Sequence, residues 1–217
     1  MNKFSICILA ALLVVGIWAF PKIKALNTTY HLFDEDQIVE NFRSVREIWP
    51  TRQLNKAVKP YRYAQGERLS LPLTFSSDGT GFDTAAFLED SWTTGLLVIQ
   101  ADEIRLENYY RGNTESTQNI SWSMAKSFIS ALVGIAVSEG YITSIEDPVE
   151  VYAPELIGSG YEGVSIKDVL QMSTGVGFNE DYGDFYSDIN RWGRDFSLGN
   201  SQDAFAGTLE REVEPGT

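Results

Sequence analysis

Ser123-Met124-Ala125-Lys126 is the spacing in this chain best suited to chemistry. A serine hydroxyl is a weak nucleophile until a neighbouring base takes its proton. On a helix, residues i and i+3 are neighbours, so the Lys126 amine can reach the Ser123 hydroxyl. Ser121 and Ser127 flank the site, but only Ser123 has lysine three residues on. The spacing alone is weak evidence, since serine is common and a lysine at a helix start often only lies along the surface. Its setting adds to it. Ser123 stands where an apolar stretch begins, and from Phe128 to Val137 only Ser130 is polar. A helix that is apolar all round is expected to be buried on all sides. An amine held against such a core loses hydration, which favours the neutral form a general base needs. The first helical turn would add free N–H groups and the positive end of the dipole for a developing oxyanion.

Composition removes most rival chemistries. The one cysteine, Cys7, lies in an apolar run at the N-terminus, so there is no intrachain disulfide and no thiolate zinc site. The one histidine, His31, is the only residue that could serve a Ser-His-Asp triad. No metal or other cofactor is expected. Asp181, Asp184 and Asp188 lack the glycine and terminal glutamate of a calcium loop. The net charge of −13 repels phosphate backbones, which argues against nucleic-acid binding.

The elements that must position the pair begin late. Phe4 to Phe20 is uncharged and apolar, with Lys3 before it and Lys22 and Lys24 after it. At 17 residues it is shorter than the usual spanning helix and longer than the usual secretory core. Residues 1–25 are read as a signal-anchor or a cleaved signal peptide, with membrane contact through residues 4–20. Either puts the folded part outside the cytoplasm. Residues 26–90 are read as an N-terminal extension and linker, with one helical stretch from Asp34 to Ile48 stopped by Pro50. Gly95–Gln100 and Ile104–Tyr110 form a strand pair joined by a turn at Ala101-Asp102-Glu103. Gly140 ends the apolar helix. Ser165-Ile166-Lys167-Asp168 is a capping box opening a short helix through Met172. Asn179 to Asp188 is an acidic, aromatic loop, and Ser201 to Arg211 an amphipathic helix with Phe205 and Leu209 on one face.

Four stretches carry a resemblance: WTTGLLVIQADEIRLENYYRGNT, ISWSMAKSFISALVGIAVSEGYITSIEDPVEVYAPEL, VSIKDVLQMSTGVGFNEDYGD and EPGT. In order and spacing they resemble the serine β-lactamase-related hydrolases, nearest the class C β-lactamase, DD-peptidase and 6-aminohexanoate-oligomer hydrolase branch. The resemblance covers about residues 91–217 and implies an α/β (α+β) fold, an antiparallel sheet with a helical region. It implies that Ser123 is the acylated nucleophile, that Lys126 assists proton transfer, and that Tyr182 borders the substrate. Trp122, beside the nucleophile, is expected to pack rather than to touch substrate. The implied partner is a small or peptide-like acyl substrate: a β-lactam, a D-Ala-D-Ala peptide, an ester or an amide oligomer.

The departures are specific. The family's Tyr-x-Asn or Tyr-x-Ser motif occurs nowhere in the sequence, nor does its Lys-Thr-Gly or His-x-Gly strand. Pro215-Gly216-Thr217 stands where the approach to the tyrosine motif is expected. The resemblance therefore implies the N-terminal part of a longer hydrolase, with the sheet incomplete and little activity alone. The alternative is a non-catalytic, membrane-anchored binding module that keeps the fold.

Overall fold

In the computed structural model, which describes residues 3–217, the chain runs through α1 (Lys3–Tyr30), α2 (Ile38–Arg43), α3 (Val45–Ile48), β1 (Ala64–Gln65), β2 (Thr74–Ser77) and β3 (Thr80–Asp83). It continues through α4 (Thr84–Asp90), β4 (Gly95–Gln100), β5 (Glu103–Tyr109), α5 (Met124–Ser138), α6 (Ile166–Leu170), α7 (Asp188–Ser197) and α8 (Gln202–Ala206). The side chains of Lys3, Phe4, Cys7, Leu9 and Ala11 lie outside the described set. Two compact units result. One comprises residues 1–31, 46–50 and 121–217, the other residues 32–45 and 51–120.

In the second unit, β4 and β5 pair antiparallel through a two-residue turn, Ala101-Asp102, in which both residues take positive φ. That is the turn whose twist matches a strand pair. Alternation along β5 turns Leu106 inward to 3% exposure. β1 adds two residues in parallel register on the far edge of β5, giving the order β1-β5-β4. The outer edge of β4 has no strand partner among the described residues. Residues 51–90 are more than the expected linker. β2 and β3 form a second hairpin, on which Phe75 stacks on Phe82 at 5.3 Å, and Phe87 of α4 meets Phe75 edge-on at 5.2 Å. Strands of four residues are too short to announce a period. The helix expected from Asp34 to Ile48 is also broken. Ser44 interrupts it, its N–H donating to Glu40 O and Asn41 O and its hydroxyl to Glu40 Oε1.

In the first unit, α1 packs against α7. Ser197 donates its hydroxyl proton to Gly193 O at 2.8 Å, so it accepts from Trp49 Nε1 at 3.2 Å and from Thr29 Oγ1 at 2.7 Å. Ser197→Ala strips a buried indole N–H of its acceptor. The expected cost is about 1–3 kcal/mol, measured by urea unfolding. The helix α7 goes beyond the elements expected from the sequence: Ile189, Trp192 and Phe196 have its spacing, and Ser187 caps it, accepting from Asn190 N. The capping box at Ser165 and Asp168 opens α6, with Ser165 Oγ accepting from Asp168 N at 3.0 Å. The helix expected at Ser201–Arg211 is only one turn, α8, and Thr208 to Gly216 is laced by backbone to two earlier loops. Gly160 N donates to Leu209 O, Gly177 N to Glu210 O, Glu212 N to Gly175 O and Gly216 N to Ser173 O. Phe205 and Leu209 are buried beside this seam, as are Val164 and Ile166.

The expected N-terminal membrane helix is not supported. Among the described residues, no helix is long and apolar enough to cross a membrane. α1 does not stop at Phe20. Pro21 lies inside it, and it continues past Lys22 and Lys24 into the fold, where Ala25 is buried and Thr29 bonds Ser197. Part of the apolar run, at Phe4, Cys7, Leu9 and Ala11, falls on side chains outside the described set.

A second expectation is corrected at α5. No residue of this helix is buried; Phe128, Ile129, Leu132 and Ile135 are all more than half exposed. An apolar helix is buried only where other elements cover it, and α5 makes none of the strong element contacts that α1 and α7 share.

Candidate active site

Ser123 is the N-cap of α5, with helical φ and ψ of −62° and −12°. Lys126 Nζ donates to Ser123 Oγ at 2.9 Å. The contact spans i to i+3 across the first helical turn, a separation that brings the two side chains within reach. Both side chains are exposed, so the expected desolvation of the amine by an apolar core is absent. Cavities of about 440 and 530 Å³ occur in the other unit, and neither is lined by Ser123 or Lys126.

The expected free N–H groups of the first turn are mostly engaged. Met124 N donates to Ser121 O at 3.1 Å, Ala125 N to Trp122 O at 3.0 Å, and Lys126 N to Ser123 O at 3.1 Å. These short-range bonds form because the helix opens through a tight turn. The amide of Ser123 itself donates to no group among the described residues, which leaves one N–H next to Oγ. Trp122, half-buried, has φ of +46°.

Tyr182 is 49% exposed, and its hydroxyl donates to Glu180 Oε1 at 3.1 Å. Partial burial, and then that hydrogen bond, push its phenol up, so at neutral pH it is a donor and not a base. The carboxylates around it are spent on the loop. Asp181 Oδ1 accepts from Gly183 N, Asp184 Oδ1 from Tyr186 N and Asp188 Oδ2 from Asn179 N, each at 2.8 Å, and Asn190 Nδ2 clamps the carbonyls of Tyr182 and Asp184. His31 sets its ring edge-on against Tyr30.

Ser123 Oγ, the Lys126 amine that donates to it and the Ser123 amide, which has no acceptor among the described residues, lie together at the start of α5. The family model described as Beta-lactamase matches residues 85–217, which contain all three. The chain belongs to the beta-lactamase family. A relative in this family, the 6-aminohexanoate-dimer hydrolase of Paenarthrobacter ureafaciens, is 36% identical over 102 residues, covering 47% of this chain and 26% of that protein. The solved structure named "Putative 6-aminohexanoate-dimer hydrolase from Bacillus anthracis" superposes with a TM-score of 0.69 at 16% identity, over 86% of this chain and 51% of that one. The chain thus spans about a quarter of the curated relative and half of the solved structure. The fold is the mixed α/β fold of these beta-lactamase-like neighbours.

The sequence signals Ser123 and Lys126 through spacing. It gives no sign of the positive φ at Trp122, because glycine is the residue that marks such a position.

Proposed function

We propose that this chain carries the nucleophile of a serine hydrolase that works by acyl transfer on an amide or ester. The observation that carries the reading is the 2.9 Å hydrogen bond from Lys126 Nζ to Ser123 Oγ at the start of α5. Ser123 Oγ adds to the carbonyl carbon as its proton passes to Lys126. The oxyanion is met by the Ser123 N–H. Collapse of the adduct breaks the C–N or C–O bond, and the leaving group departs with the proton. Water then attacks the acyl-ester, Lys126 takes its proton, and Ser123 Oγ recovers one as the carboxylic acid leaves. The 6-aminohexanoate dimer in the relative's name makes a linear amide the first substrate class to try.

The test is covalent labelling. A fluorophosphonate or an activated ester should add to Ser123, located by peptide mass spectrometry, and Ser123→Ala should abolish the adduct. Sustained turnover of p-nitrophenyl acetate or nitrocefin by these 217 residues is expected to be poor, since the pair is exposed and one free amide is a partial oxyanion site. The rival reading is a binding module that keeps the fold without catalysis. Absence of any adduct at Ser123, with the chain folded, selects it.

A further inference from the structure

Seven non-glycine residues among those described have positive φ, and six have an ordinary reason. Asp78 sits with Gly79, and Ala101 with Asp102, in the two-residue turns of the two hairpins. Arg111 shares a turn with Gly112, closed by Asn113 N donating to Tyr110 O. Trp92 and Met172 follow the ends of α4 and α6, where Thr93 N reaches back to Leu88 O and Ser173 N to Asp168 O. Those are left-handed helix caps. Trp122 closes no hairpin and ends no helix. It stands immediately before the serine, at φ +46°.

The turn it occupies is identifiable. Met124 N donates to Ser121 O, so Ser121–Met124 is a β-turn with Trp122 and Ser123 at its centre. Positive φ at the first central residue and −62°, −12° at the second are the signs of a type II′ turn. Glycine is the usual first central residue of that turn, and a bulky side chain there is an outlier. Backbone held in such a state persists only where its surroundings over-determine it, and such residues concentrate at functional sites.

We infer that Trp122 is a positioning residue: its left-handed backbone, rather than its indole, sets the direction in which Ser123 leaves the turn and so aims Oγ at Lys126 Nζ. The inference rests on the acyl-transfer reading for its consequence, but the turn can be tested without it. If the backbone state matters, substitutions rank by their tolerance of positive φ. Gly and Asn tolerate it; Ile, β-branched, does not.

The experiment compares Trp122→Gly, Trp122→Asn and Trp122→Ile in the full chain, by the rate of fluorophosphonate labelling at Ser123 and by the Lys126 Cε resonance in NMR. Gly and Asn should label at least as fast as the parent, and Ile about ten- to a hundred-fold more slowly. Trp122→Ile should move the Lys126 resonance to where Ser123→Ala puts it, and Trp122→Gly should not. A merely structural indole would give the opposite ranking, with Ile ahead of Gly and Asn, and that result overturns the inference. So does a folded Trp122→Ile with an unmoved Lys126 resonance. Should Trp122→Ile fail to fold by circular dichroism, the other two variants decide: a roughly ten-fold loss in either overturns the inference, and rates at or above the parent support it. Should the parent not label at all, the acyl-transfer reading fails, and the resonances alone decide the role of the turn.

Discussion

Lys126→Ala should lower the rate of Ser123 labelling by about 10²–10⁴, the usual worth of a positioned general base. Its amine is the group that touches Ser123 Oγ. The loss should come without a loss of stability. Lys126 is exposed on a helix, alanine is the best helix former, and exposed substitutions of this kind change stability by no more than about 0.5 kcal/mol. Lys126→Arg sharpens the test. Arginine reaches as far and keeps the charge, but stays protonated and cannot accept the serine proton. It should be about as slow as alanine. Labelling of either variant within about three-fold of the parent would sink the base assignment, and retention by Arg alone would recast Lys126 as a fixed charge.

The largest stability effect is expected at Gly175. Its φ is +73°, and a Cβ placed on it would stand 2.1 Å from Val213 O and 2.9 Å from Val213 C. These are backbone atoms, so no side chain can swing aside. The Gly175 carbonyl also accepts from both Glu212 N and Val213 N, so the displaced segment is the one that its own bonds hold. The left-handed backbone costs an alanine about 1–2 kcal/mol, and each lost hydrogen bond about 0.5–1.5 kcal/mol. Gly175→Ala should therefore destabilise the first unit by about 3 kcal/mol or more, read as a lower urea midpoint with loss of amide protection at Gly177, Glu212 and Gly216. Gly134→Ala in α5 is the matched control: nothing lies within 4 Å of its added Cβ. Equal midpoints for the two variants would show that the seam at Gly175 adjusts.

What the sequence makes legible is what is local. The β4–β5 pair declares itself because β5 alternates apolar and polar residues, with Leu106 turned inward, and a short turn joins it to β4. Ser123 and Lys126 declare themselves because three residues on a helix is a fixed distance. Ser165 and Asp168 do so because a cap is a contact between near neighbours. The failures concern what lies beyond the window. The apolar face of α5 suggests a surrounding core, yet hydrophobicity states only what a helix would bury if something covered it. The acidic residues before α7 mask Ile189, Trp192 and Phe196, whose helical spacing is nonetheless in view. The pairing of Gly160 and Gly175 with residues 209–213 joins points dozens of residues apart and leaves no periodic trace. A tryptophan beside a nucleophile reads as a packing residue; the left-handed backbone of Trp122 depends on the fold around it, not on its type.

The hydroxyl of Ser197 ties together Thr29 and Trp49, residues 168 and 148 positions before it. On a ribosome adding about 5–20 residues per second, α1 emerges roughly ten to thirty seconds before the helix it packs against exists. During that interval the end of α1 that the fold covers, where Ala25 is buried and Thr29 bonds Ser197, is nascent chain without its native partner. The first unit can close on α1 only once Ser197 has emerged.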